Sequence, residues 1–444
     1  MIYLTSVVIC SIIVLLLLII HWKMQPFIAL LLVSMFTALA AGMPPSEVMD
    51  CVQNGIGGTL GSIAVVVGLG AMFGQMLEIS GGAERLTLTL LRLFGKDKAN
   101  WAMTLAGFIV AIPVFFDVGF IILMPLIYSL ARETKRSLLY YGIPLLAGLA
   151  VTHAFVPPTP GPVAVANLID ADLGKVIFYG AVIGLPCAIL SGPVFGKWIA
   201  KKIHATIPEY MDNESLNKQW NEDELPSFKM VFAIILLPLI MILLNTCSNA
   251  FLADDNGLRT LLSFIGHPFF ALTIATLLAF RLLGTCRGLS RDKINEVATA
   301  ALAPAGIIIL VTGAGGVFKQ VLVDSGAGEI LAQGLAKTGL HPVWAAFLIA
   351  LAVRAVAGSA TVAMLTAGGI IAPMLGAFKI EPALIVIAIA SGATAVSHVN
   401  DSGFWLVNRY FGISTKDTLK SWTVMESIIG VTGATLAWVF SLFV

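Results

Sequence analysis

Residues 68–84 read GLGAMFGQMLEISGGAE, and residues 313–329 read GAGGVFKQVLVDSGAGE. Eight positions match without a gap: Gly68/Gly313, Gly70/Gly315, Phe73/Phe318, Gln75/Gln320, Leu77/Leu322, Ser80/Ser325, Gly81/Gly326 and Glu84/Glu329. The offset is 245 residues, a little over half of a 444-residue chain. A repeat of this size in an apolar protein points to two fused halves, the layout of many transporters. A shared small-residue packing face would also match at a few positions, so the repeat has to extend further. It does: PFIAL at 26–30 answers PFFAL at 268–272, and Thr152-His153 falls opposite Ser397-His398 at the same offset of 245.

Composition sets the solvent. Hydrophobic residues make up 58% of the chain, charged residues 11%, and the mean hydropathy is +0.95. A soluble domain is nearer about a quarter charged. Uncharged apolar runs of roughly 18 residues or more recur, each a candidate membrane helix. The chain therefore reads as a polytopic, all-α membrane protein with the lipid bilayer as its surroundings. Residues 1–20 are too long and too apolar for a cleaved leader and are expected to form the first membrane helix. A net charge of +1 gives no reason to expect a nucleic-acid partner. Cys10, Cys51, Cys187, Cys247 and Cys286 are scattered without a CxxC pair, so neither a disulfide framework nor a zinc site is indicated. No metal or other cofactor is expected.

The halves can be laid side by side, with a first repeat at 1–202, a linker at 203–227 and a second repeat at 228–444. Apolar segments fall at about 2–22 and 228–246, 25–42 and 266–284, and 60–80 and 303–324. An amphipathic arm is expected after each, at about 84–96 and 328–338. Longer pieces follow at 100–131 and 343–377, too long for one upright crossing of about 20 residues and too short for two. Each is interrupted near its middle, at 113–119 (PVFFDVG) and 357–361 (AGSAT). Two half-helices meeting at a tip fit this pattern, and such backbone is tolerated at membrane depth only where protein or a cavity surrounds it. The pieces at 138–169 and 382–411 are expected to be broken helices. The first holds Pro157, Pro158, Pro160 and Pro162, which no regular helix accommodates. A last helix closes each half, at 176–199 and 420–443.

With the long pieces as re-entrant hairpins, each half crosses five times, and an odd number inverts the second half. The distribution of positive charge agrees. With both termini outside, 20 of the 26 Lys and Arg fall in cytoplasmic segments, leaving Lys175, Arg259, Lys319, Lys337, Arg354 and Lys379 elsewhere. Counting the hairpins as full crossings would destroy that separation. Residues 203–227, with Glu209, Asp212, Glu214, Glu222, Asp223 and Glu224, read as a cytoplasmic linker.

The two tips and the two broken helices should meet between the halves. Broken helices present unpaired N–H groups and a positive dipole end that suit carboxylates, while freed carbonyls and acids suit cations or protons. Ionisable groups at membrane depth cost at least about 2.5–3.5 kcal/mol each, so the few that cluster at the breaks stand out. Asp117 sits at the first tip and is the first candidate for the coupling proton, or else a structural cap. Arg354 lies four residues before Gly358; its fork suits a substrate carboxylate or a protein acid equally. Asp401 is a second proton candidate or a partner for substrate hydroxyls. His153 and His398 flank the breaks and serve either protons or the broken backbone. Glu78, Lys319 and Glu426 are expected to pack or to face the interface. The glycines of 68–74 lack the spacing and the preceding strand of a dinucleotide loop.

At this point whole words of sequence are recognisable. VFFDVGF at 114–120, THAFVPPTPGP at 152–162, GGVFKQVLVDSG at 315–326, GSATVA at 358–363 and SHVNDSGFWL at 397–406 resemble the bacterial gluconate permease family. The resemblance covers nearly the whole chain. It implies inner-membrane proton symport of gluconate or a related sugar acid, with idonate, fructuronate, another hexonate or D-serine as alternatives in the same class. It also implies hairpins and broken helices that carry substrate in an elevator-like motion, usually in dimers. The family's first hairpin more often carries Glu where this chain has Asp117, a carboxylate with one methylene less reach. On this reading Ser359, Thr361 and the half-helix ends hold the substrate carboxylate. Asn400, Asp401 and Thr159 hold hydroxyls, Asp117 carries the proton, and His153 and Arg354 complete the site. A channel would need a continuous polar pore, and an enzyme a nucleophile–base pair or ligand cluster; neither pattern is present.

Overall fold

The computed structural model describes residues 2–208, 222–253, 255–326, 339–399 and 401–444, and among these it is entirely helical. The elements are α1 (Ile2–Ile20), α2 (Pro26–Ala40), α3 (Pro45–Ile79), α4 (Gly82–Phe94), α5 (Ala99–Val110), α6 (Phe116–Thr134), α7 (Leu139–Phe155) and α8 (Pro160–Leu168). A long helix α9 (Leu173–Lys202), with one π-turn at Leu190–Val194, leads towards the linker. Then come α10 (Phe228–Phe251), α11 (Gly257–Ile265), α12 (Pro268–Arg287), α13 (Arg291–Asp324), α14 (Pro342–Ala357), α15 (Ala360–Ile371), α16 (Pro382–Thr394), α17 (Ser402–Phe411) and α18 (Thr415–Phe440).

Local chemistry explains most helix starts. Proline opens α2, α3, α8, α12, α14 and α16, where its missing N–H is no loss and its fixed φ suits the first turn. Side chains cap others: Asp172 for α9, Ser227 for α10, Ser290 for α13, Ser359 for α15 and Asp401 for α17. Among the described residues, seven helical runs are long and apolar enough to cross a membrane, and shorter apolar helices accompany them. The protein is a multi-pass membrane protein.

Two expected boundaries move. The segments at 60–80 and 303–324 are the ends of much longer helices, α3 and α13, that begin at Pro45 and Arg291. The polar stretch 45–59 has no proline after Pro45 to stop it, and Gly55, Gly57 and Gly58 lower helix propensity without forbidding the helix. The expected amphipathic arm at 84–96 appears as α4, with Arg85 donating to the carbonyls of Glu222 and Pro226 and Arg92 paired with Glu222. Its counterpart at 328–338 lies outside the described residues, as does 209–221 of the linker.

Each copy of the repeated stretch begins against the other long helix, α3 or α13. A Cβ on Gly55 would meet the Val317 backbone at 2.7 Å, one on Gly313 would meet Leu60, and Gly68 faces Leu302. The partners rise along one helix as they fall along the other, so α3 and α13 are antiparallel. α2 packs on α13 and α12 packs on α3.

Both long interrupted pieces fold back. In the first, α5 and α6 are separated by residues 111–115, and both pack on α7. A Cβ on Gly119 would lie 3.7 Å from the Val110 side chain. A continuous helix would hold these residues about 13 Å apart. In the second, Gly358 takes a left-handed φ of 72° and α14 and α15 pack against each other across it. The helices after the hairpins, α7 and α16, are buried along nearly their whole length. Both are broken as expected, at 156–159 and from 395 onward.

Candidate functional site

The four interruptions surround one cavity of about 590 Å³. That is within the range of small-molecule sites. The first tip contributes Phe115, Phe116 and Asp117. The second contributes Gly358, Ser359, Ala360 and Thr361. The broken helices contribute His153, Pro160, Gly161 and Asp401, and α14 and α18 contribute Arg354, Trp422 and Glu426.

Each position follows from local structure. Asp117 lies in the first turn of α6, beside that helix's free N–H groups, and no cap hydrogen bond from a side chain is made there. Its side chain is open to the cavity. Ser359 is the N-cap of α15; its Oγ accepts from Val362 N at 3.3 Å. Thr361 follows in the first turn. Together with the open N–H groups of α15 they form an anion-seeking corner of the cavity.

Arg354 and Asp401 are joined. Arg354 Nη2 lies 2.5 Å from Asp401 Oδ2, and Nη1 donates to the Gly358 carbonyl. Ser397 Oγ donates to the same carboxylate, and Gly403 N donates to Oδ1 at 3.1 Å. Trp422 Nε1 donates to Ser397 Oγ at 2.7 Å, and Thr423 Oγ1 donates to the Ser397 carbonyl. A π-turn at Leu419–Thr423 presents both residues to the broken helix. Such turns recur at functional positions because they re-aim side chains. A connected network thus runs from α18 through Ser397 and Asp401 to the second tip.

Of the candidates read from sequence, Asp117, His153, Arg354, Ser359, Thr361 and Asp401 all line the cavity. Arg354 holds a protein acid, one of its two anticipated partners. His398 Nε2 lies 2.8 Å from the Ala355 carbonyl, so it braces the broken backbone. Asn400 lies outside the described residues. Thr159 does not reach the cavity; its Oγ1 donates to the Val156 carbonyl at 2.7 Å, beside a small void under the first tip. Its position at the start of α8 explains this, because the hydroxyl closes the turn that the prolines open.

Glu426 adds to the sequence reading. It was expected to pack or face the interface, yet it lines the cavity while only 3% exposed, and its Oε1 has no hydrogen-bond partner among the described residues. The available signal was an acid in an otherwise apolar helix, which marks function by default. Gln75 and Trp422 were also missed as lining residues. Glu78 bonds to Gln75 Nε2 at 2.6 Å, and Lys319 pairs with Asp170 at 3.0 Å, consistent with packing roles.

Comparison with known proteins places these features in context. The family model described as GntP family permease matches residues 2–443. The high-affinity gluconate transporter of Escherichia coli K12 is 41% identical over 96% of this chain and 97% of that protein. The gluconate permease of Pseudomonas aeruginosa is 40% identical over 99% of this chain and 98% of that one. The Gnt-II system L-idonate transporter of Escherichia coli K12 is 38% identical over 94% of both. Among solved structures, the YdaH transporter of Alcanivorax borkumensis superposes with a TM-score of 0.68 at 14% identity, covering 94% of this chain and 98% of that one. That likeness is one of fold.

Proposed function

Because the chain belongs to the GntP family of permeases, a family of transporters and not enzymes, we propose that it imports gluconate or a related sugar acid by proton symport across the bacterial inner membrane. The observation that carries this reading is the cavity where both tips and both broken helices converge on an anion-seeking corner beside a buried Arg–Asp pair. Ser359, Thr361 and the N-terminus of α15 hold the substrate carboxylate. Asn400 is assigned to substrate hydroxyls, Asp401, Arg354 and His153 complete the cavity lining, and Thr159 supports the turn at the start of α8. The coupling ion is a proton, and no further cofactor takes part.

Electrostatics supports coupling to protons. The cavity lining carries three acids, Asp117, Asp401 and Glu426, against one arginine, Arg354. Adding a substrate anion to such a lining in a poorly polarisable surrounding is unfavourable unless a proton enters too. Asp117 carries that proton, since Asp401 is engaged by Arg354 and Asp117 is open to the cavity.

The transport step rests on inverted repeats at 1–202 and 228–444, joined by 203–227, each with five crossings and one re-entrant hairpin. The antiparallel run of α3 and α13, which share the repeated sequence, supports inversion, as does the reciprocal packing of α2 on α13 and α12 on α3. Exchanging the conformations of inverted halves turns an inward-facing site outward, in an elevator-like movement. Both termini lie outside, following the distribution of Lys and Arg, and the working unit is a homodimer.

The experiment is uptake of labelled gluconate into proteoliposomes in competition with unlabelled idonate, fructuronate and D-serine. Saturable uptake blocked by sugar acids is expected. Saturable uptake blocked by D-serine alone would reassign the substrate, and no uptake of any sugar acid would overturn the proposal.

A further inference from the structure

Two of the groups assigned to substrate hydroxyls from sequence, Thr159 and Asp401, are already occupied. Thr159 donates to Val156, and both oxygens of Asp401 accept from Arg354, Ser397 and Gly403. Other atoms of the same lining are not. Glu426 Oε1, Arg354 Nε and His153 Nδ1 are buried without hydrogen-bond partners among the described residues, and all three side chains line the cavity. Buried polar atoms are almost always paired, so three orphans around one cavity need an explanation. Among them are an acceptor, the carboxylate oxygen, and a donor, the guanidinium Nε–H. A substrate hydroxyl suits either kind of group, because it donates and accepts.

We propose that Glu426 is a specificity-determining residue that reads a hydroxyl group of the substrate. The inference rests on the sugar-acid reading above and narrows it: the site selects polyhydroxylated carboxylates over acids that lack the matching hydroxyl. The carboxylate end docks at the second tip, and the hydroxylated chain extends towards α18. A site built around a buried hydrogen-bonding group rejects an analogue without the partner far more strongly than an apolar pocket rejects a missing methylene, because the protein group is left unpaired.

The test compares gluconate with its monodeoxy analogues as transport substrates in proteoliposomes, for the unmodified protein, Glu426→Gln and Glu426→Leu. The unmodified protein should prefer gluconate over one monodeoxy analogue by about tenfold, the cost of leaving one buried polar group unpaired. Glu426→Leu should raise KM for gluconate by a similar factor while leaving KM for that analogue unchanged, so the preference collapses. Glu426→Gln, which keeps an acceptor at the same reach, should retain most of it. Equal losses for gluconate and every analogue would show a packing role, and an unchanged preference in Glu426→Leu would show that water alone satisfies the carboxyl; either overturns the inference. Should the leucine variant not assemble in the membrane, Glu426→Ala in the same series decides on the same criteria. If the unmodified protein carries no sugar acid, the broader reading fails; if it does and the preference is blind to Glu426, only this inference fails.

Discussion

Arg354 and Asp401 form a buried ion pair, Nη2 to Oδ2 at 2.5 Å, that ties the second hairpin tip to the broken helix after α16. Arg354 also donates to the Gly358 carbonyl at that tip, and Asp401 caps α17. Removing one partner strands the other charge at a cost of about 3–5 kcal/mol. Arg354→Gln and Asp401→Asn should each lower unfolding stability in detergent by about that much, and the double variant should cost no more than either alone. Additive losses would show that the residues act independently.

Gly74 supports the first tip. A Cβ there would meet the Pro113 carbonyl oxygen at 2.0 Å, a backbone atom that cannot swing aside. Overpacking of this kind costs about 1–3 kcal/mol. Gly74→Ala should reduce initial transport rates by about tenfold or more per folded molecule, whereas Gly57→Ala, with nothing within 4 Å, should leave them unchanged. Equal behaviour of the two variants in an uptake assay would contradict a specific seat for the tip on α3.

This contact also shows what the sequence could reveal. The repeat at 68–84 and 313–329 drew attention to the stretches that end the long helices α3 and α13, and the prolines at 157–162 marked a broken helix, because glycine and proline constrain the backbone directly. The residues near the breaks reached the cavity for the same reason: Asp117, Arg354, Ser359, Thr361 and Asp401 each lie at a break or within one helical turn of it. Glu426 and Gln75 lie within regular helix, where only the packing of α18 and α3 decides which side of the helix meets the cavity. Thr159 was misleading because a hydroxyl beside prolines serves the turn or a ligand equally well until its partner, the Val156 carbonyl, is located.

Thr159 yields a prediction of its own. With its hydroxyl spent on the backbone, Thr159→Val should change KM for gluconate by less than about twofold while lowering stability by about 1 kcal/mol. Kinetics in proteoliposomes and unfolding in detergent separate the two; a large rise in KM with stability intact would place the hydroxyl in the substrate site after all.

Asp117 should govern coupling without being needed for substrate recognition. Asp117→Asn should abolish accumulation driven by a proton gradient yet still exchange internal for external labelled gluconate, since the corner formed by Ser359 and Thr361 is untouched. Asp117→Glu should retain coupling. Unchanged accumulation in the asparagine variant would move the proton to another group.

The central claim, proton-coupled import of a sugar acid, is tested most directly by labelled gluconate entering proteoliposomes with and without an inward proton gradient. The account predicts accumulation above equilibrium with the gradient, collapse of that accumulation when a protonophore is added, and equilibration alone when the gradient is absent. Uptake that stops at equilibrium and is indifferent to the proton gradient would contradict it.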